Sequence, residues 1–264
     1  MKHSAGAVRN VWALDAPTMT CDKSIFVIGS GGENVTVPVP AFLIEHDDGL
    51  VLYDTSFDPD AAGNPEAIYG PLASAFQIDF PVECRLDTQI ENLGFKLTDV
   101  KRVVISHSHF DHTGGLRLFP HAEGFIGTGE LRYAGRPDPF CIGFFRKEDL
   151  EAANQIRWNE VPTGYDHDLF GDGSITLLSL PGHSPGHLGM KIELADRTLV
   201  LAGDAGHLRD NLTGGVGMPF DNDSITKLDS LRLLNLKQKQ TNTTVWLSHD
   251  PEDWAARGWL RDLN

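Results

Sequence analysis

Short apolar runs separated by Gly- and Pro-rich breaks dominate the first part of the chain. Val11–Leu14, Ser24–Ile28, Val35–Val39, Ala41–Glu45 and Leu50–Tyr53 each alternate or run apolar, and each predicts a strand. Ser56 to Pro81, rich in Gly, Pro and Asp, predicts a long surface segment with one short helix. Leu86–Leu93 has helical spacing and stops at Gly94, a natural C-cap. Later, Val100–Ile105, Ile175–Leu180, Leu199–Ala202 and Thr244–Leu247 are compact, β-branched-rich runs that predict buried strands. Helical spacing recurs at Thr128–Tyr133, Lys147–Asn154 and Ser224–Gln238. No repeat, low-complexity tract or linker interrupts the pattern, so the chain reads as one domain over residues 1–264.

Composition narrows the function classes. With 41% hydrophobic residues and 27 glycines among 264, the chain can bury a full core and make many tight turns. A net charge of -15 and the lack of any basic run argue against a nucleic-acid partner. Cys21, Cys84 and Cys141 are too few and too scattered for a disulfide framework, which points to a reducing compartment. The N-terminal stretch has no apolar core of the signal-peptide kind, and no run reaches the ~20 residues of a membrane helix. A cytoplasmic protein with no membrane partner is the expectation. Nothing in the pattern fixes the oligomeric state, a homodimer included.

The chemistry lies at the ends of the four late strands. The first runs into His107, His109, Asp111 and His112, the second into Pro-Gly-His183, the third into Gly-Asp204, and the fourth into Ser-His249-Asp250. A lone strand-end histidine is ordinarily a structural side chain; four ligand-bearing strand ends point to one rim of a packed sheet. Residues two apart in extended chain face one side, so His107 and His109 can clamp one ion, while Asp111 and His112 can reach a second. Gly114-Gly115 lets the backbone fold tightly behind them. Imidazole with carboxylate suits Zn²⁺, with Fe, Mn or Co also accommodated.

At these residues the chain resembles the metallo-β-lactamase superfamily. The matching motifs are YDT at Tyr53–Thr55, SHSHFDHTGG at Ser106–Gly115, PGHSPGH at Pro181–His187, AGDA at Ala202–Ala205 and SHD at Ser248–Asp250, in the family's order. The resemblance implies a four-layer αβ/βα sandwich, an α/β fold with the site at one edge. It implies that His107, His109 and His183 hold one metal, that Asp111, His112 and His249 hold the other, and that Asp204 bridges them. It selects His183 over His187, leaving His187 to packing or support, and makes Asp54 the carboxylate that orients a ligand histidine. Ser56 stands where the family usually has Gly.

Within the superfamily the layout is most similar to the N-acyl-homoserine lactone hydrolases, the quorum-quenching lactonases. An aspartate at 204 argues against a β-lactamase. The short tail Asp250–Asn264 leaves little room for the helical substrate domain of glyoxalase-type thioesterases. The resemblance implies that a metal-bridging hydroxide opens a lactone ring, with Asp111 carrying the proton to the leaving oxygen. His207 stands where these lactonases usually place a substrate-contacting tyrosine, and a histidine N–H can donate the same kind of hydrogen bond. Phe140, Phe144, Phe145, Trp158, Phe26 and Met218-Pro219-Phe220 are candidates for the wall of an acyl pocket. The competing readings are a hydrolase of another small lactone, ester or thioester (glyoxalase II-like), an iron-dependent redox member, and a non-catalytic binding module.

Overall fold

The computed structural model describes residues 7–256, so the end of the tail Asp250–Asn264 lies outside the described residues. Its strands are β1 (Val8–Ala13), β2 (Thr18–Asp22), β3 (Asn34–Pro38), β4 (Phe42–His46), β5 (Gly49–Tyr53), β6 (Val100–Val104), β7 (Glu123–Gly127), β8 (Arg157–Val161), β9 (His167–Asp168), β10 (Ile175–Ser179), β11 (Leu188–Glu193), β12 (Thr198–Leu201) and β13 (Thr243–Trp246). One sheet runs β1-β4-β5-β6-β7-β8, antiparallel through β5 and parallel from there on. The other runs β13-β12-β11-β10-β9, with β12 and β13 parallel.

The two sheets face each other. Ile44, Val51, Tyr53 and Val104 of the first share a core with Leu177, Met190, Leu201 and Trp246 of the second. Their sequence neighbours Leu43, Leu52 and Val103 point the other way, onto Leu86 and Ile90 of the helix Leu86–Asn92 and Ala153 of the helix Lys147–Ala153. Leu178, Val200 and Val245 cover the outer face of the second sheet together with Leu231 and Leu234 of the helix Ser224–Gln238. Strands buried on both faces need apolar residues at successive positions, which is why these runs read as continuous. The result is helix, sheet, sheet, helix: the four-layer αβ/βα sandwich.

Two expectations are corrected. Ser24–Ile28 is not a strand; the strand is β2, just before it, which pairs with β3 as a hairpin. The Asp22 carboxylate accepts from Ser24 N (2.9 Å) and Gly32 N (3.1 Å) and closes Lys23–Ile25 into a 3-10 turn. That local side-chain cap competes with strand pairing and wins. The segment from Ser56 to Pro81 is likewise more than surface. It carries two short helices, Pro65–Tyr69 and Pro71–Ala75, each begun by proline. Phe57, Ala61, Tyr69, Phe76 and Phe80 are buried there with Met19, Phe26, Val37 and Phe110. These apolar residues follow no helix or strand period, so the sequence concealed a third core that roofs the site. Strands β7, β8, β9 and β11 also escaped the sequence reading. β7 contains Gly124 and β8 has charged or polar side chains at alternate positions, which dilutes the apolar signal.

Candidate metal centre

Strands β6, β10, β12 and β13 deliver their C-terminal loops to one end of the sandwich. His107 and His109 lie in the loop after β6, and the helix Phe110–Thr113 then places Asp111 and His112 in its only full turn. The backbone is held against that loop by close approach: a Cβ on Gly114 would lie 2.2 Å from Asp58 N, and one on Gly115 2.7 Å from Thr55 O. His183 follows β10, Asp204 follows β12, and His249 follows β13. All seven predicted ligand side chains are buried and converge.

The tautomers of four histidines follow from their outer partners. Ser106 Oγ gives its one proton to Asp54 Oδ2 (2.8 Å), so it can only accept from His107 Nδ1 (3.0 Å). His112 Nδ1 faces Asp54 Oδ2 at 2.8 Å, His183 Nδ1 faces Asp221 Oδ1 at 3.2 Å, and His249 Nδ1 faces the Pro38 carbonyl at 2.7 Å. Each partner is an acceptor, so each Nδ1 carries hydrogen and each neutral ring turns a bare Nε2 inward. His183 Nε2 then stands 3.1 Å from His107 Nε2 and 3.1 Å from His109 Nδ1. The facing lone pairs of His107 and His183 repel unless a cation lies between them. Two nitrogens on a tetrahedral zinc are roughly 3.3 Å apart. The donor set fits a metal ion.

A second group lies beside the first. His112 Nε2 is 3.6 Å from Asp111 Oδ2 and 3.4 Å from Asp204 Oδ2, and His249 Nε2 is 3.5 Å from Asp111 Oδ2 and 3.2 Å from Asp204 Oδ1. Asp204 Oδ2 is also 3.7 Å from His107 Nε2 and 3.6 Å from His183 Nε2, which puts this carboxylate between the two groups. His112 Nε2, His249 Nε2 and Asp204 Oδ1 are buried with no hydrogen-bond partner, a costly arrangement that a metal ion would relieve.

Electrostatics divides the cluster in the same way. Burial pushes His107 and His183 well below the usual imidazole range and His109 down to about 3, so these three stay neutral and available as ligands. Burial works against charge on His112 too, but Asp204, Asp111 and Asp54 outweigh it and raise its proton affinity well above the ordinary value. His249 is raised against the same burial by Asp204 and Asp111. Asp204 itself, despite burial, is held well below the usual carboxylate range by His249, His112 and His207. This half of the site attracts positive charge.

The supporting residues fall partly where the sequence placed them. Asp54 orients His112 as expected, and it also accepts from Ser106 N (2.7 Å). His187 is no ligand: its Nε2 accepts from Asp204 N (2.9 Å) and fixes the backbone of that residue. Sequence reasoning missed Asp221, Lys227 and Glu130. Glu130 is fully buried and accepts from Gly186 N (2.7 Å) and Ser108 N (3.3 Å), joining two ligand loops, and burial pushes its carboxyl up to about 7.

Above the cluster opens a pocket. Asp111, Asp204, His109, His183 and His249 form its floor and His207 one side. Met19, Ile25, Phe26, Phe76, Phe110, Phe144 and Met218 form the apolar walls. Of the wall candidates, Phe26, Phe144 and Met218 line it, Phe145 packs on the His109 ring at 4.8 Å, and Phe220 backs Phe144 at 5.2 Å. Two others do not belong. Phe140 is half exposed, and Trp158 packs behind the first sheet with its Nε1 donating to the Ala153 carbonyl. Met19, Ile25, Phe76 and Phe110 gave no sequence signal for this role, because the roof that brings them here has no period. His207 Nε2 lies 3.0 Å from Asp204 Oδ2, its ring stacked on His249 at 5.7 Å. Among the described residues, no lysine or arginine lines the pocket.

A donor set of this kind, at the strand ends of this sandwich, defines a metallo-hydrolase. The chain belongs to the metallo-beta-lactamase superfamily, whose sequence profile matches residues 35–249. It is similar to N-acyl homoserine lactonase AttM of Rhizobium radiobacter, with 30% identity over 249 residues, 93% of this chain and 94% of the relative. An N-acyl homoserine lactonase of Bacillus cereus is 29% identical over 224 residues, 84% of each chain. In fold it is similar to a mutant of B. thuringiensis AiiA solved with N-decanoyl-L-homoserine bound at the active site. That match has a TM-score of 0.81 and 24% identity, and covers 95% of this chain and 96% of the other. No helix among the described residues is long and apolar enough to cross a membrane.

Proposed function

We propose that this protein is a dinuclear metal hydrolase that opens the lactone ring of N-acyl homoserine lactones, acting as a single cytoplasmic domain. The observation that carries this reading is the pocket with apolar walls and, among the described residues, no lysine or arginine, set directly on the ligand cluster. An acyl chain needs such walls, and a lactone needs no counter-ion. A glutathione thioester or a phosphodiester brings negative charge beyond the reacting group, and among the described residues no lysine or arginine lines the pocket to meet it. The names of the relatives at about 30% identity support the same substrate class.

His107, His109 and His183 would hold one ion and Asp111, His112 and His249 the other, with Asp204 shared. Two Zn²⁺ ions so held would supply a water ionised near neutral pH and a Lewis acid for the carbonyl. The protein groups do the rest. The apolar walls hold the acyl chain and exclude water. The His207 Nε2–H, which faces Asp204 Oδ2 at 3.0 Å, would turn to the lactone carbonyl oxygen once Asp204 is engaged by the ions. Asp111, facing the pocket from the floor, carries the proton to the leaving ring oxygen.

The test is proton release on a panel of short- and long-chain acyl-homoserine lactones, simple γ-lactones, aryl esters and S-lactoylglutathione, with metal content measured alongside. Acyl-homoserine lactones should give the highest kcat/KM, and preference for the thioester would overturn the reading. His207→Phe keeps the ring stack on His249 and removes the donor, so kcat should fall about 10-fold or more; unchanged turnover would remove His207 from the mechanism.

A further inference from the structure

Lys227 is an unusual residue to find at the base of this site. It sits in the first turns of the helix Ser224–Gln238 with no exposed surface, on the same face as Ser230, Leu231 and Leu234. Its Nζ donates to the backbone carbonyl of Asp204 and lies 3.2 Å from Asp221 Oδ1. That same oxygen accepts from His183 Nδ1, and Asp221 Oδ2 accepts from Met218 N at 2.8 Å. A Cβ on Gly217 would lie 2.1 Å from Asp221 Oδ2, so only glycine there leaves room for the carboxylate. One ammonium group therefore touches the residue between the two ligand groups and, through Asp221, a ligand of the first.

The helix is seated to hold that position. Asp223 N donates to the Gly182 carbonyl (2.9 Å), Asn222 N to the His183 carbonyl (3.1 Å), and Ser230 Oγ to the Pro181 carbonyl (2.6 Å). A Cβ on Gly182 would meet Lys227 N at 2.2 Å. A buried ammonium is costly unless it is paired and fully hydrogen-bonded, and a Leu or Met would fill this place at no electrostatic cost.

We propose that the Lys227–Asp221 pair is a positioning device for the metal centre, fixing His183 and Asp204 relative to each other across two loops. Asp221 holds the His183 ring with Nε2 inward, and Lys227 locks Asp221 to the Asp204 backbone. The charge of Lys227 alone would act in the opposite direction, since removing an ammonium from beside a cation site tightens that site. The sign of the effect therefore separates positioning from simple electrostatics.

The experiment uses metal ions alone, without substrate, so it stands apart from the lactonase reading. Zinc affinity is measured by competition with a chromophoric chelator, and ligand geometry by the visible spectrum of the Co²⁺-loaded protein, for Lys227→Met, Asp221→Asn and the double variant. Leu234→Ala, on the same helix but buried behind the second sheet, is the control for lost stability. Each single variant should weaken the more labile zinc about 10-fold or more and change the Co²⁺ spectrum. The double variant should be no worse than the poorer single, and Leu234→Ala should lower the melting temperature without changing the spectrum. Unchanged or tighter zinc with an unchanged spectrum in Lys227→Met overturns the proposal. If that variant does not fold, a wild-type spectrum and zinc affinity in Asp221→Asn overturn it equally.

Discussion

Asp54→Asn is the sharpest probe of how the site is held. The native carboxylate is 1% exposed and accepts three hydrogen bonds, from Ser106 N, Ser106 Oγ and His112 Nδ1, at 2.7 to 2.8 Å. Asparagine keeps the shape but replaces one oxygen by an NH₂. In either amide orientation a buried donor then faces a donor. Each lost charge-assisted bond costs about 1.5–3 kcal/mol. One lost bond and one unsatisfied group together cost roughly 3–5 kcal/mol. Backbone strain is not the cause, because Asp54 has φ +58° and asparagine tolerates that region as well as aspartate does. The second consequence is chemical. If the amide NH₂ faces His112, the ring is driven to carry its proton on Nε2, which withdraws the lone pair from the second ligand group, and zinc affinity should drop 10–100-fold. Urea unfolding of the zinc-loaded and stripped protein measures the first effect, and zinc competition against a chromophoric chelator the second. A variant that binds both ions as tightly as wild type and loses less than about 0.5 kcal/mol would refute the tautomer argument.

Three further outcomes follow from other parts of the molecule. Glu130, pushed up by burial from the ordinary 4.5 to about 7, binds its proton more tightly folded than unfolded. Its stabilising contribution is therefore complete below pH ~4.5 and is lost as pH rises through ~7. Glu130→Gln keeps the Gly186 bond and should flatten the difference in unfolding free energy across that window, by on the order of 3 kcal/mol; parallel pH profiles for the two proteins would contradict it. Gly127→Ala would set a Cβ 1.7 Å from the Gly186 carbonyl oxygen, backbone against backbone, next to the His183 loop. That should cost more than about 4 kcal/mol, seen as loss of soluble protein or of the cooperative circular-dichroism transition, and a melt within a few degrees of wild type would count against the close approach. Phe144→Ala removes a pocket wall that also packs on the His109 ring at 5.2 Å, a loss common to all substrates, so the rise in KM should be about 10-fold greater for long-chain than for short-chain acyl-homoserine lactones; an equal effect on both would place the acyl chain elsewhere.

What the sequence disclosed and what it hid have physical reasons. The candidate ligands were legible because chemistry dictates their identity and the strand ends fix their order: His107, His109, Asp111 and His112 sit within one short stretch, and His183, Asp204 and His249 each follow an apolar run. The helix Ser224–Gln238 was legible to the residue because Asp223 caps it, accepting from Ile225 N and Thr226 N. The roof was not legible, because irregularly spaced apolar residues between Phe57 and Phe80 carry no period to read. Nor were the outer partners. The Pro38 carbonyl that fixes His249 is a backbone atom with no residue identity, and it lies 211 positions away in the chain.

Lys227 had a signal of a different kind. It occupies the i position of a stripe completed by Ser230, Leu231 and Leu234, where the helix turns its buried face to the core. A lysine in that place contradicts the pattern around it, and such local contradictions mark residues retained for a site rather than for the fold. The same logic separates the two kinds of histidine in PGHSPGH. His183 is placed by an acidic partner that sets its tautomer, and so can face a metal, while the Nε2 of His187 is already occupied by the Asp204 amide. Spacing alone treats the two as equivalent. The choice between ligand and support rests on which ring nitrogen has its partner on the protein side, and that is settled by residues far away in sequence.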